Sequence, residues 1–403
     1  MEGAPHEYKE HVGSCIECGN SPVNHLSTYL THTFAVWSSR SPDGKQGIRR
    51  WFDAQVSLLA PHVDALVYGF FAVLPITRFS REVERAATYR SQVIWEEAER
   101  RGIRMEQMTL LGAYVDIYRA RINSSWFYFQ SLPIPARYES ADVGWIDDKH
   151  ALKEALSKAG IAVPRTVSVT SLAEVRRAAA QLASPFVVKP RAGSRGRHTT
   201  VGVRTTEDAE RAFRVAQQLC RYVALEDCLT GGVCRATVVG GRLVGFLQGF
   251  PPRVMGDGVA SIRELVARAN SERHERVQPI EISDEHVRFL QRAGYTLDSV
   301  VPHGDIVSLT HRTGRLFGGT TRELLGAEHP ALRAHLERAA TILGIPVVGI
   351  DLIIEDPTKD PDQQTWGIIE ANTLPYIDLH YLPLEGQPSN VAAAVWDLWG
   401  TIS

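Results

Sequence analysis

The chain has 403 residues, 44% of them hydrophobic and 22% charged, with a formal net charge of −2. That length predicts two or three structural units with an ordinary apolar core. A net charge so close to zero excludes a global field that would draw nucleic acid or an anionic membrane, so an anionic ligand must be held by local positive groups.

Residues 1 to about 50 carry many Gly, Ser, His and Pro with weak periodicity, and are expected to be partly extended. The polar stretch 1–11 lacks the apolar core of a signal peptide. The longest strongly apolar run, 65–76, is too short to span a bilayer. A cytoplasmic protein with neither membrane nor nucleic-acid partners is therefore expected. Five cysteines are an odd number and form no disulfide framework. His11, Cys15, Cys18 and His25 could supply four zinc ligands. Their loose spacing, with no second Cys pair nearby, favours ordinary reduced thiols in a flexible N-terminal segment.

From Val63 the pattern sharpens. A buried strand is predicted over 65–73, a charged helix over 81–101 closing at Gly102, and a short strand over 108–112, an alternation that implies a sheet covered by helices. The aromatic stretch 122–128 reads as core packing, with the lining of a cleft as the alternative. Residues 149–159 put Leu152, Ala155, Leu156 and Ala159 on one helical face. A strand follows over 163–169, and Ser171 with Glu174 opens a capped helix reaching 183. Then come strands over 186–189 and 200–203, a helix over 207–219 and a strand over 222–226. Gly240-Gly241 marks a hairpin between strands 234–239 and 242–248. Helices are predicted over 261–269, 283–293 and 330–343, and strands over 307–310, 346–354 and 365–370.

Two stretches carry chemistry. The strand 186–189 delivers Lys189 to a loop holding Gly193, Gly196, Arg191, Arg195 and Arg197. Such a loop can fold its backbone N–H groups over phosphates while the lysine adds a point charge. It is no Walker A loop, since no Gly-Lys-Ser/Thr triplet precedes a helix. A basic, solvated hairpin tip is the alternative. Further on, Asp351 lies inside one apolar strand and Glu370 ends the next, with Asn372 two residues beyond. Neighbouring antiparallel strands would set these oxygens on one side of a sheet. Together with triphosphate oxygens they would make the hard, six-coordinate surroundings magnesium prefers. Strand-end carboxylates paired with lysines are the other reading, and the cost of charge within apolar strands favours metal.

From about Asp147 to its end the chain resembles the ATP-grasp superfamily, and is most like the ATP-grasp region of cyanophycin synthetases. It is also similar to the glutathione-synthesising module of bifunctional bacterial enzymes and, more remotely, to D-alanine–D-alanine ligases. The shared stretches, in order, are Asp148-Lys149, Gly160-Ile161-Ala162-Val163-Pro164, Val188-Lys189-Pro190, Val254-Met255-Gly256-Asp257-Gly258, Gly318-Gly319, Gly349-Ile350-Asp351 and Glu370-Ala371-Asn372-Thr373-Leu374-Pro375, followed by His380 and Gly386-Gln387-Pro388.

The resemblance implies an α/β chain of the two-lobed α+β ATP-grasp kind. It would have an N-terminal α/β domain over 1–145, a small lobe over 146–225 and a large lobe over 226–403. It also implies ATP and Mg2+ as cofactors. Lys149 and Lys189 match lysines that touch ATP phosphates. Glu226 matches the hinge acid beside adenine, with Ala224, Leu225 and Val187 lining the pocket. The loop bearing Gly193, Ser194, Gly196 and Arg197 would be the phosphate lid. Asp351, Glu370 and Asn372 match the magnesium ligands. Arg253, Arg312 and Arg315 are candidates to hold the acyl phosphate or the substrate carboxylate, and His380 to meet substrate. Three positions depart from the relatives' pattern: Val233 where an acid holds the ribose, Gly314 where cyanophycin synthetases have Asn, and Ala192 with Arg195 in the loop. The chain stops at Ser403, where a cyanophycin synthetase would continue into a second ligase domain, so a stand-alone enzyme making one amide bond is expected. Its partners would be small-molecule carboxylate and amine substrates, amino acids or short peptides, and a homodimer is expected from relatives. A kinase on the same fold is the alternative.

Overall fold

Along 347–354, Val348, Ile350, Leu352 and Ile354 point one way and are fully buried, while Gly349 and Asp351 point the other. This period-two pattern makes a strand with one greasy face and one chemical face. In the computed structural model, which describes residues 15–18, 22–38, 76–138, 145–193 and 196–400, Val347–Ile354 lies in a five-stranded antiparallel sheet. The order is Thr320–Glu323, Arg242–Phe250, Gly232–Val239, Val347–Ile354, Trp366–Asn372. The buried face packs on helix Pro330–Leu343 through Leu332, Leu336 and Ala340, and on helix Lys149–Lys158 through Leu152 and Leu156. The hairpin turn falls on Gly240 and Gly241, at φ 56° and 77°, which only glycine adopts without cost.

The described residues divide into two compact units. One takes Met1–Ser38, Arg165–Cys228 and Pro251–Arg312; the other takes Ser39–Pro164, Leu229–Phe250 and Thr313–Ser403. The second holds the large sheet. It also holds a four-stranded antiparallel meander of Thr77–Ser80, Met105–Leu110, Ala113–Ile122 and Ser125–Gln130. The predicted strand over 65–73 lies outside the described residues. The helix predicted over 81–101 starts only at Tyr89, because Thr88 takes the N-cap and accepts the Ser91 N–H, while Val83–Arg85 forms a separate 3₁₀ turn. The strand predicted over 108–112 is Met105–Leu110. The aromatic stretch 122–128 is a hairpin, turning on Asn123 and Ser124 at φ 47° and 68°. Phe127 packs in the core beside Phe129 and Trp399, so the packing reading holds for it.

The first unit is built on a second antiparallel sheet, ordered Thr166–Val169, Val223–Asp227, Phe186–Pro190, Thr200–Val203. Helices Leu172–Ala179 and Thr206–Gln217 cover it through Val175, Ala178, Phe213 and Ala216. Ser171 accepts the Glu174 N–H, as the sequence predicts, although the helix stops at Ala179 rather than 183. The Glu174 carboxylate accepts instead the Thr170 N–H. A short ladder, Arg253–Met255 with Ile306–Ser308, and helices Ile262–Glu272 and Asp284–Arg292 complete this part. The N-terminal region, expected to be partly extended, contributes helix His25–Ser38, whose Val36 is buried against Ala192 and Cys220. Among the described residues no helix is long and apolar enough to cross a membrane.

One close approach fixes the interior of the large sheet. A Cβ on Gly245 would come within 2.7 Å of the His380 ring, which is fully buried. Gly245→Ala is expected to lower stability by roughly 1–3 kcal/mol through overpacking, measured as a reduced urea midpoint at unchanged slope. An unaltered midpoint would mean that the imidazole has room to retreat.

Candidate functional site

The outward face of the large sheet gathers the predicted metal ligands. Asp351 and Glu370 are direct register partners on neighbouring strands, and Asn372 stands opposite Gly349. Opposed residues share a face, as do residues two apart, so all three oxygens project to one side. Gly349 leaves room there for the chain that follows: a Cβ on it would meet the Pro375 side chain at 2.8 Å. The third strand brings Arg235 opposite Asp351. Its guanidinium donates to both carboxylate oxygens, Nε to Oδ1 at 2.6 Å and Nη2 to Oδ2 at 2.5 Å, a two-pronged charge-assisted pair. Lys149 opens its helix behind Asp148, whose carboxylate accepts the His150 and Ala151 N–H groups. That cap points the buried lysine at Glu370, Nζ to Oε2 at 3.5 Å. Two acids and an amide on one face, with two cations beside them, offer the hard oxygen donors that suit a magnesium ion.

In the same unit, His380 is fully buried. Its Nε2 is 2.8 Å from Thr237 Oγ1 and its Nδ1 2.8 Å from Glu323 Oε2. Both ring nitrogens are thus engaged by the sheet, and the expected meeting with substrate finds instead a histidine that braces strands. Arg315, in the turn Arg315–Phe317, is near enough to pull on Asp378. Asp378 Oδ1 is buried with no hydrogen-bond partner among the described residues. Burial pushes its carboxyl above the usual range, against the pull of Arg90, His380 and Arg315.

The other unit holds the remaining expected residues. Lys189 stands opposite Ala224 and Val187 opposite Glu226, so these four share a face, and Lys189 Nζ lies 2.7 Å from Glu226 Oε2. Leu225 is fully buried in the core with Val188, so its side chain turns away from that face and only its backbone could meet a ligand there. In the loop, Gly193 and Gly196 take φ of 125° and 65°, and a Cβ on Gly196 would stand 3.1 Å from His311 Nε2. Arg197 is partly exposed, while Ser194 and Arg195 lie outside the described residues. Arg253 is exposed on its short strand. Arg312 is buried, ion-paired to Glu285 at 3.0 Å and 3.4 Å from the carbonyls of Glu17 and Cys18. With Arg204, Arg211, Arg288 and Arg292 it lines a basic cavity of about 440 Å³.

The fold thus joins Asp351, Glu370, Asn372 and Lys149 in one unit, and Lys189, Glu226, Ala224 and Val187 in the other. Arg315 belongs to the first group's unit, and Arg253 and Arg312 to the second's. Sequence reading missed Arg235 and Asp378. For Arg235 a signal existed: it alternates with buried Cys234 and Ala236, which sets it on the face that carries Asp351. For Asp378 there was none.

No family model matches the chain. Over 258 residues, 62% of its length, it is 33% identical to cyanophycin synthetase from Trichormus variabilis, spanning 29% of that protein. Over 257 residues it is 30% identical to the glutathione biosynthesis bifunctional protein GshAB of Mannheimia succiniciproducens, spanning 34% of it. The chain therefore covers only about a third of these curated relatives. Among solved structures, the bifunctional glutathione synthetase from Pasteurella multocida aligns with 77% of this chain and 44% of its own, at TM-score 0.53 and 25% identity. The fold is that of the ATP-grasp ligases.

The raised Asp378 carboxyl has a consequence for stability. A folded-state pKa above the unfolded one means that stability present at low pH is lost as pH rises through it. Asp378→Asn should therefore melt higher than the parent near pH 8, with the gap in Tm narrowing as pH falls toward the ordinary carboxylate range. A variant that melts lower at pH 8 would show that Arg90 and Arg315 outweigh burial and favour the charged form.

Proposed function

With the ATP-grasp fold as premise, we propose that this chain is an ATP-dependent ligase that activates a carboxylate as an acyl phosphate and joins it to an amine. The substrates would be an amino acid or short peptide and an amine of similar class, with ADP and phosphate released. The observation that carries this reading is the register pairing of Asp351 with Glu370, with Asn372 and Lys149 beside them. Asp351, Glu370 and Asn372 would hold Mg2+, which spreads the negative charge of the phosphoryl oxygens. Homology to proteins named for cyanophycin and glutathione synthesis supports ligation over phosphorylation of a stable acceptor.

The roles follow from charge. Phosphoryl transfer needs positioning and charge neutralisation more than covalent help from the protein. Lys149 and Lys189 would take the phosphates, Glu226 the adenine side, and the loop of Gly193, Ser194, Gly196 and Arg197 would cover them. The substrate carboxylate oxygen attacks the γ-phosphorus and ADP leaves. The amine then attacks the acyl carbon, losing a proton as phosphate departs. Arg253, Arg312 and Arg315 are the candidates to steady the acyl phosphate, which must be kept from water. In domain terms, 1–145 would serve a substrate, with lobes over 146–225 and 226–403.

Lys189→Ala would leave a gap beside the buried Glu226 carboxylate, whereas Lys189→Gln keeps an N–H donor there without the charge and is the cleaner variant. ADP release should fall at least ~100-fold, the scale seen when one charge-stabilising donor is removed, with an unchanged circular dichroism spectrum. Near-normal turnover would take Lys189 out of the site. The parent protein, supplied with paired amino acids and ATP, should yield orthophosphate and a product lighter than its two substrates by one water. A phosphorylated, stable product would replace the ligase with a kinase.

A further inference from the structure

Four side chains in the first unit converge without any part in the chemistry above. Cys15 precedes and Cys18 ends the 3₁₀ turn Ile16–Cys18, His25 opens helix His25–Ser38, and His198 follows the loop glycines Gly193 and Gly196. The ligand atoms of these four all lie within 4.8 Å of one another. His198 Nε2 is 3.4 Å from Cys18 Sγ and 3.5 Å from Cys15 Sγ, and His25 Nε2 is 3.3 Å from Cys18 Sγ. A tetrahedral zinc with ordinary bond lengths sets its sulfur and nitrogen ligands about 3.6 Å apart. The spacing therefore fits a metal at the centre of the four. It is also near the contact distance of a weak thiol–imidazole hydrogen bond, so the distances alone do not decide.

The surroundings do. Cys18 and His198 are fully buried. His198 Nδ1 lies 2.8 Å from the Val215 carbonyl, to which it donates, and this fixes the tautomer that leaves Nε2 with a lone pair facing the sulfurs. Such a backbone partner is the usual outer support of a metal-bound imidazole. The His25 and His198 rings stand edge to face, 4.9 Å between centroids at 81°, and each brings its Nε2 to the Cys18 sulfur. The backbone N–H of His198 donates to the Glu17 carbonyl, and Arg312 reaches the carbonyls of Glu17 and Cys18, which fastens the Cys turn in place.

We propose that Cys15, Cys18, His25 and His198 form a closed, structural zinc site. Two thiolates and two imidazoles with no open position suit zinc in a structural role. His198 takes the place of His11, which lies outside the described residues. The site would tie the N-terminal helix to the root of the phosphate loop, since a Cβ on Gly193 would already touch His32 of that helix at 3.2 Å. Through its position it would hold that loop, and it stands whether or not the chain is a ligase.

Metal content decides it directly, with no activity readout. The full chain, purified without added metal or chelator, should carry about one zinc per molecule by inductively coupled plasma mass spectrometry. Cys15→Ser with Cys18→Ser, and separately His198→Ala, should abolish that content. Replacement of zinc by Co2+ should give the visible bands of a tetrahedral thiolate site in the parent and none in the Cys variant. Should a variant fail to fold, the parent's zinc and cobalt spectrum still carry the test. A parent that holds no zinc and takes up none, a Cys15–Cys18 disulfide in the native protein, or zinc retained by both variants would each overturn the proposal.

Discussion

Two carboxylates set side by side on adjacent strands repel one another, and in the large sheet cations stand against both Asp351 and Glu370. Register partners place their Cβ atoms about 5 Å apart, where two unit charges at an effective dielectric near 20 cost roughly 3 kcal/mol. Arg235 answers this with a two-pronged grip on Asp351, and Lys149 with its approach to Glu370. Apolar neighbours on the reverse face, Ile350 and Leu352 among them, hold the strands in register. A one-residue slip would send the acids into that core. Position, charge and packing thus depend on each other at this one spot.

The same logic of paired charge recurs in the smaller sheet of the other unit. Lys189 and Glu226 reach one another across strands whose other face is packed with Val188 and Leu225. Each is nearly buried, and removing either takes away the other's opposite charge, which is costly in a buried pair. Such pairs restrain side chains as rigid donors and acceptors, which suits a site that must stabilise charge without reorganising.

Much of this was legible in the sequence because it rests on local rules. The Gly240-Gly241 hairpin, the helix Pro330–Leu343, and the acids on successive apolar strands all follow from periodicity and turn chemistry. What stayed hidden depends on long-range contact or on unusual backbone. Asn123-Ser124 makes a hairpin without a glycine. Thr88 starts a helix that composition alone began at Arg81. His198 meets Cys18 across 180 positions, which no spacing rule predicts. The thiols expected to be ordinary are drawn toward histidines by that contact. Leu225 and His380 were assigned by position in a motif, and side-chain direction, which only packing decides, turned them inward.

The central claim is that the paired carboxylates grip the divalent ion that carries the nucleotide's phosphates. A crystal structure of the protein grown with Mg2+ and ADP tests it most directly. Magnesium bonded to Asp351, Glu370 and Asn372, with the phosphates against Lys149 and Lys189, is the expected result. A nucleotide bound elsewhere, or a metal bridged to the phosphates with neither acid in its coordination sphere, would contradict the account.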